Sequence, residues 1–111
     1  MEIQQTNHGA VTVLKPIGPL CEEDADAVKT QTIEASARNL GRVVLDASAV
    51  PYIDSRGLEV LVEMAETLSQ GGQALKLSGA NEVLREVVEL TDVAPLLEQF
   101  PDVNAAVRSF L

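Results

Sequence analysis

The sequence lacks the residues that most metal, redox and nucleophilic sites require. It contains one cysteine, Cys21, and one histidine, His8. A single cysteine cannot form an internal disulfide or a cysteine metal site, and a lone histidine cannot complete a common metal set. His8 also falls in the turn-forming sequence 7–9, where we expect a solvated side chain. We therefore predict no metal, no cofactor and no catalytic thiol.

Basic and aromatic residues are also scarce. Eight lysines and arginines stand against 17 aspartates and glutamates, which gives a formal net charge of −9. This charge repels nucleic acid and anionic lipid, because the basic residues are scattered along the chain. Aromatic residues make up only 3% of the sequence, which argues against a stacking platform for bases. A protein with a basic surface is the partner that this charge favours.

Long apolar runs are missing as well. No stretch approaches the roughly 20 apolar residues of a membrane span, and no signal peptide pattern is present. We expect a soluble, cytoplasmic protein that forms one domain over residues 1–111, a length that folds without metals or disulfides. The acidic residues are spaced along predicted helix faces and do not converge, so we predict no enzymatic activity.

The centre of the chain shows the clearest structural pattern. Residues 43–45 form a short apolar run that is typical of a strand covered on both faces in a parallel sheet. Pro51 lacks an N–H and favours an extended loop after this strand. Asp54 or Ser55 then caps a helix, which ends at Gly71 and Gly72.

The predicted helix has two sets of apolar residues. A stripe for packing on the sheet has the i, i+3, i+4 spacing and consists of Leu58, Leu61, Val62, Ala65 and Leu68. Val60 and Met64 lie one turn apart, away from the centre of this stripe. They form either an exposed apolar strip that binds a partner beside Ser55, or an edge of the core-facing side in which the methionine fills a gap.

Further strands and helices alternate around this central unit. The sequence predicts a hairpin over 2–6 and 10–14, a helix over 22–39, a strand over 74–78, a helix capped by Asn81 and a terminal helix capped by Asp102. Residues 93–100 suit a short helix or an edge strand, and we favour the strand. Alternating strands and helices imply right-handed crossovers around one sheet, which is an α/β domain.

Ser55 is a candidate phosphorylation site because of its position. The positive end of the helix dipole and the free N–H groups of the first turn stabilise a phosphate of roughly −2 charge. The alternative is that Asp54 and Ser55 only cap the helix, as such pairs do in many proteins. The local residues leave both interpretations open.

The wider motif resembles the STAS domains, and specifically the bacterial anti-sigma-factor antagonists. The matching residues are Leu45-Asp46-Ala47-Ser48, Val50, Tyr52-Ile53 and Asp54-Ser55-Arg56-Gly57-Leu58. The resemblance implies the STAS fold, a single mixed, mainly parallel β-sheet of about four to five strands with helices mostly on one face. It also implies that Ser55 is phosphorylated, with Asp54, Arg56 and Gly57 as neighbours in the switch site.

The resemblance also implies a function. Unphosphorylated antagonists of this family sequester an anti-sigma factor that has serine kinase activity, and this releases a sigma factor. A serine phosphatase is a further candidate partner, since it would reverse the modification. The alternative is a constitutive STAS subunit of a membrane transporter or a signalling scaffold, which binds without switching.

Two positions depart from the family pattern. Cys21 stands where the family has an aspartate that helps to form the partner surface, and Arg56 stands where a small residue is common. The resemblance places Cys21, Glu22 and Tyr52 in the partner surface. The acidic residues 22–24 either supply the missing charge or only favour the start of the following helix.

Overall fold

The alternating segments fold into one five-stranded sheet and four α-helices in a computed structural model that describes residues 1–111. In chain order the elements are β1 (Glu2–His8), β2 (Val11–Ile17), α1 (Glu22–Arg38), β3 (Val43–Asp46), α2 (Ser55–Gln70), β4 (Leu75–Ser78), α3 (Glu82–Glu89), β5 (Leu97–Phe100) and α4 (Val103–Arg108). The strand order is β1-β2-β3-β4-β5, with β1 antiparallel to β2 and the other pairs parallel. The predicted α/β fold with a mixed, mainly parallel sheet is confirmed.

The two faces of the sheet are covered unequally. Alternation along the strands directs Leu14, Leu45 and Leu77 toward a large core that α1, α2 and α3 complete. The opposite face has a smaller apolar cluster, in which Val44 packs under α4 through Ala106. The prediction that the helices pack mostly on one face is therefore confirmed. None of the helices combines the length and the apolarity that a bilayer crossing requires.

The buried face of α2 differs from the predicted stripe. Its buried residues are Gly57, Val60, Leu61, Met64, Ala65 and Leu68. Val60 and Met64 have 0% exposed surface, whereas Leu58 and Val62 are only half-buried. The interpretation of Val60 and Met64 as an exposed strip for a partner is wrong, because both lie at the centre of the core-facing side.

A backbone contact at the start of α2 explains this rotation of the buried face. A Cβ atom on Gly57 would lie 2.1 Å from the carbonyl oxygen of Leu20. The side of the helix that carries Gly57 therefore faces the backbone of the segment at Leu20. Residues that follow Gly57 by three, four, seven, eight and 11 positions share its face. Those positions are 60, 61, 64, 65 and 68, which are the buried ones.

The N-terminal hairpin is longer than predicted. Its strands meet at Gly9, which has a φ of +65°, and His8 is the last residue of β1 rather than part of the turn. β2 also continues through Pro16 to Ile17, beyond the predicted end of the strand at residue 14. Proline is tolerated there because β2 pairs with β3 only as far as Leu14, so its missing N–H interrupts no ladder with β3.

The C-terminal region agrees with the predicted caps. Asn81 accepts a hydrogen bond from the N–H of Leu84, and Asp102 accepts one from the N–H of Ala105, both at 2.8 Å. The ambiguous segment contains both alternatives in sequence, a 3-10 turn at Ala94–Leu96 and then β5 as the edge strand.

Candidate phosphorylation and partner-binding site

The candidate site forms where the chain after β2 crosses the chain after β3. Leu20 and Ile53 form an isolated parallel bridge. The N–H of Leu20 donates to the carbonyl oxygen of Tyr52 at 3.1 Å, and the N–H of Asp54 donates to the carbonyl oxygen of Leu20 at 3.3 Å. These backbone bonds fix the position of Asp54 before α2 begins.

The Asp54 carboxylate joins the starts of two helices. Its Oδ1 accepts the N–H of Gly57 at 2.7 Å, which caps α2, and its Oδ2 accepts the N–H of Glu22 at 3.2 Å, at the first residue of α1. Glu22 has a φ of +49°, a left-handed conformation that is uncommon for residues other than glycine. Of the two predicted caps, Asp54 is the one observed.

Gly57 has a steric reason to be glycine. The position that its Cβ would occupy lies 2.1 Å from the Leu20 carbonyl oxygen and 3.0 Å from the Ile53 Cβ. The Asp-Ser-x-Gly sequence therefore has two structural parts. Asp54 caps α2 and reaches α1, while Gly57 lets the helix approach the bridged loop.

Ser55 is the first residue of α2 and is exposed. Because Asp54 supplies the cap, the Ser55 hydroxyl is not needed to satisfy the N–H groups of the helix start. The other serines near the sheet differ in access. Ser48 is exposed in the loop after β3, Ser69 is half-buried, and Ser78 has 0% exposed surface.

A shallow groove of about 500 Å³ runs beside Ser55. Its lining residues are Ser55, Leu58, Glu59, Val62, Glu63 and Thr91. Leu58 and Val62 follow Ser55 by three and seven positions, so the three side chains share one side of α2. An accessible apolar strip does lie beside Ser55, although it consists of Leu58 and Val62 rather than the predicted Val60 and Met64.

Arg56 lies in an ion-pair network that joins α1 to α2. Its guanidinium bonds to the Asp26 carboxylate, and its Nη1 lies 2.8 Å from Glu63 and 3.6 Å from Glu59. Lys29 Nζ also lies 2.7 Å from Glu63. Arg56 and Lys29 thus connect one side of α1 with one side of α2.

The network shifts the pKa values of its members. The hydrogen bond to Asp26 raises the pKa of Arg56 above its ordinary, already high value, so this side chain stays charged. The same bond lowers the pKa of Asp26. The pKa of Glu63 is lowered by its hydrogen bond to Lys29 first and by Arg56 second.

The remaining predicted partner residues lie around the crossing loops. Tyr52 is 56% exposed and Glu22 is exposed, while Cys21 is half-buried. Burial and the charge of Asp54 raise the pKa of the Cys21 thiol, so it stays protonated near neutral pH. Cys21 and Glu22 are therefore neighbours of Asp54, whereas Val60 and Met64 are not accessible.

Sequence reasoning missed the ion pairs of Arg56 and the bond from Glu22 to Asp54. A signal for part of the first feature exists, because Arg56, Glu59 and Glu63 have an i, i+3, i+7 spacing on one helix face. The link from Arg56 to Asp26 and the link from Asp54 to Glu22 join residues about 30 positions apart. No local pattern predicts such pairs, because they depend on how α1 packs against α2.

The fold and the site together define a small α/β domain with an exposed serine at the start of a core helix. The sequence profile of the STAS domain family matches residues 2–106, and the chain belongs to this family.

Three relatives show how far the similarity extends. An anti-sigma F factor antagonist of Paenibacillus polymyxa is 22% identical over 107 residues, which cover 95% of this chain and 92% of the relative. A Thermotoga maritima protein assigned as an anti-sigma factor antagonist has a TM-score of 0.83 at 23% identity, covering 96% of this chain and 92% of its own. The Bacillus cell fate determinant SpoIIAA, solved in its phosphorylated form, has a TM-score of 0.71 at 14% identity, covering 97% and 99%.

The same fold also occurs inside a larger protein. The murine anion transporter Slc26a9 matches 95% of this chain with a TM-score of 0.74 at 16% identity, but only 18% of the transporter is covered. At these identities the structural matches show a shared fold and not a shared function.

Proposed function

We propose that this protein is a phosphorylation-switched antagonist that sequesters an anti-sigma factor with serine kinase activity and so releases a sigma factor. The observation that carries the proposal is the exposed Ser55 hydroxyl at the start of α2. This hydroxyl is free for modification, because the side chain of Asp54 and not that of Ser55 caps the helix. The anti-sigma F factor antagonist of similar length supports the class of partner. The proposed role is binding and regulation, without catalysis by this chain.

The modification would be an ordinary phosphoryl transfer. The Ser55 Oγ attacks the γ-phosphorus of ATP, the bond from that phosphorus to the bridging oxygen breaks, and ADP leaves. A base on the kinase takes the serine proton. The partner therefore supplies the nucleotide and the catalytic groups, and use of ATP by the partner supports a cytoplasmic location. A serine phosphatase would restore the hydroxyl by hydrolysis.

The partner surface that we propose surrounds Ser55. The apolar strip of Leu58 and Val62 would supply contact area, and exposed Tyr52 would contribute an aromatic side chain from the preceding loop. Cys21 and Glu22 lie next to Asp54 and would form the other rim. The net charge of −9 favours a partner whose contacting surface is basic at its edges.

A phosphate on Ser55 would disrupt this surface by charge. It would add roughly two negative charges beside the apolar strip and four positions before Glu59. The apolar part of the partner that covers Leu58 and Val62 would then have to cover a dianion as well, which costs desolvation free energy. Binding and modification would in this way exclude each other.

Mass spectrometry after incubation with the kinase and ATP tests the site. We expect phosphate on Ser55 in the native protein and none in Ser55→Ala, while the matched control Ser48→Ala is still modified. Ser48 is the appropriate control because it is exposed in the same crossing region. Phosphate on Ser48, Ser69 or Ser78 in place of Ser55 would overturn the assignment.

Binding of the Ser55 variants tests the switch. Ser55→Ala should bind constitutively and keep the stability of the native protein, because Asp54 and not Ser55 caps α2. Ser55→Asp should weaken binding only in part, since one carboxylate has less charge and fewer acceptor oxygens than a phosphate.

The second candidate function is a constitutive binding subunit. The presence of this fold within an anion transporter supports this second function. A constitutive subunit would bind its partner equally well with and without phosphate on Ser55. Neighbouring genes for transport, in place of genes for a kinase or a phosphatase, would support it.

A further inference from the structure

Arg56 is shared by more carboxylates than one guanidinium can neutralise. Asp26, Glu59 and Glu63 all lie within 4 Å of it, and Lys29 is the one other cation in the network. The three acidic and two basic groups leave a net charge of −1. Arg56 also directly follows Ser55, and two of its partners line the same groove as the Ser55 side chain.

We propose that Arg56 is the intramolecular ligand of a phosphate on Ser55, and that binding the phosphate draws its guanidinium away from Asp26. The group that Arg56 would bind is the phosphomonoester on the adjacent Ser55. The interaction is non-covalent, so it requires no further chemical step. The inference rests on the phosphorylation of Ser55 proposed above. Its direct consequence is that the start of α1 loses an ion pair to α2.

The competition between the two anions favours the phosphate. A phosphate dianion offers three acceptor oxygens and binds guanidinium with two parallel hydrogen bonds, which are among the stronger charge-assisted pairs. The Asp26 side chain is 51% exposed, so water can replace the guanidinium around its carboxylate. Exchange of an exposed carboxylate for an adjacent dianion therefore lowers the free energy of the modified protein.

The other members of the network determine which contact is lost. Glu63 keeps Lys29 at 2.7 Å and so remains paired if Arg56 moves. Glu59 lies farther from Arg56, at 3.6 Å, and is 65% exposed, so this ion pair contributes little attraction. Asp26 is the partner of Arg56 on α1, so losing it removes the link that Arg56 makes between the two helices.

The change would reach the proposed partner surface from a second side. Asp26 lies one turn into α1, and the first residue of that helix, Glu22, donates to Asp54. Loosening the first turns of α1 would change the rim formed by Cys21 and Glu22. The phosphate would then act through its own charge and also through the position of α1.

The test uses phosphoserine that is incorporated at position 55 during translation, so it needs no kinase. Amide hydrogen exchange of residues 24–28 and the side-chain N–H resonance of Arg56 are measured with and without the phosphate. We expect exchange of residues 24–28 to accelerate at least about fivefold, and the Arg56 resonance to shift. In Arg56→Gln the phosphate should no longer accelerate exchange.

Two controls make the result specific. Lys29→Gln removes the other ion pair between α1 and α2 but keeps Arg56, so the phosphate should still accelerate exchange of residues 24–28. The phosphorus resonance should titrate at a lower pH in the native background than in Arg56→Gln, because a bound guanidinium favours the dianion. Equal exchange, an unshifted Arg56 resonance and equal phosphate titration in both backgrounds would overturn the proposal. If the kinase leaves Ser55 unmodified, the proposed function fails while this measurement stands.

Discussion

Replacing Asp54 by alanine should destabilise the protein more than removal of an ordinary helix cap. The carboxylate accepts two backbone N–H groups, from Gly57 at 2.7 Å and from Glu22 at 3.2 Å, and these groups start different helices. Asp54→Ala removes both bonds and leaves both N–H groups without their acceptor.

The magnitude follows from the two bonds. Loss of an N-cap costs about 1 kcal/mol, and loss of a second bond to a charged acceptor costs about 1.5 kcal/mol more. The unfolding entropy is about 2.1 cal/mol/K per residue, or roughly 0.23 kcal/mol/K for 111 residues. The sum of about 2.5 kcal/mol therefore lowers the melting temperature by about 11 °C.

The assay is thermal and urea unfolding of three variants. Asp102→Ala is the matched control, because Asp102 caps α4 through a single N–H at 2.8 Å and reaches no second helix. We expect it to lose about 1 kcal/mol. Asp54→Asn keeps an oxygen for Gly57 but loses the carboxylate acceptor for Glu22, and should fall between the other two. Equal losses for Asp54→Ala and Asp102→Ala would refute the bridge between α1 and α2.

Three further predictions concern the core, the close contact and the ion pairs. Met64→Lys should unfold most of the protein, because it removes about 2–5 kcal/mol of burial and buries an unpaired charge. Val62→Lys should abolish partner binding and lower the melting temperature much less, because Val62 is only half-buried. Equal melting temperatures by circular dichroism would contradict the observed face of α2. Gly57→Ala should destabilise by more than about 2 kcal/mol in urea unfolding, since its Cβ would lie 2.1 Å from a backbone oxygen. Gly71→Ala is the matched control, because Gly71 is exposed and its Cβ would lie no closer than 3.5 Å to a neighbouring atom. Asp26 and Glu63 have lowered pKa values, so their contribution to stability is full above their ordinary pKa values of 3.8 and 4.5 and is lost as the pH falls through the lowered values. Arg56→Gln should therefore reduce the loss of unfolding free energy at acid pH. An unchanged dependence of the unfolding free energy on pH would exclude the ion pairs.

Local signals in the sequence were sufficient for most elements and for the position of Ser55. Residues 43–45 form a buried strand as their apolar run predicts, and the capping residues Asn81 and Asp102 start helices as expected. These features depend on short-range chemistry, namely side-chain acceptors for the first N–H groups and apolar periodicity. Ser55 was located by the same reasoning at the start of α2.

The features that sequence reasoning missed depend on contacts between distant segments. The buried face of α2 is determined by the approach of Gly57 to Leu20, and this contact cannot be inferred from the apolar periodicity of the helix. Because Leu58 and Val62 are also apolar, the periodicity is compatible with two stripes. Both contain Leu61, Ala65 and Leu68, which are buried as predicted. The pairing of Arg56 with Asp26 likewise required the packing of α1 against α2.

Calorimetric titration of the isolated anti-sigma partner tests the proposed switch most directly. The two titrants are the native protein and the same protein with phosphoserine at position 55, with Ser55→Ala as the unmodifiable control. We predict tight binding of the native protein and of Ser55→Ala, and affinity at least about tenfold weaker for the phosphoserine form, within the usual range of coupling between a modification and a binding site. Equal affinities of the native and the phosphoserine proteins would contradict the switch and favour a constitutive binding subunit.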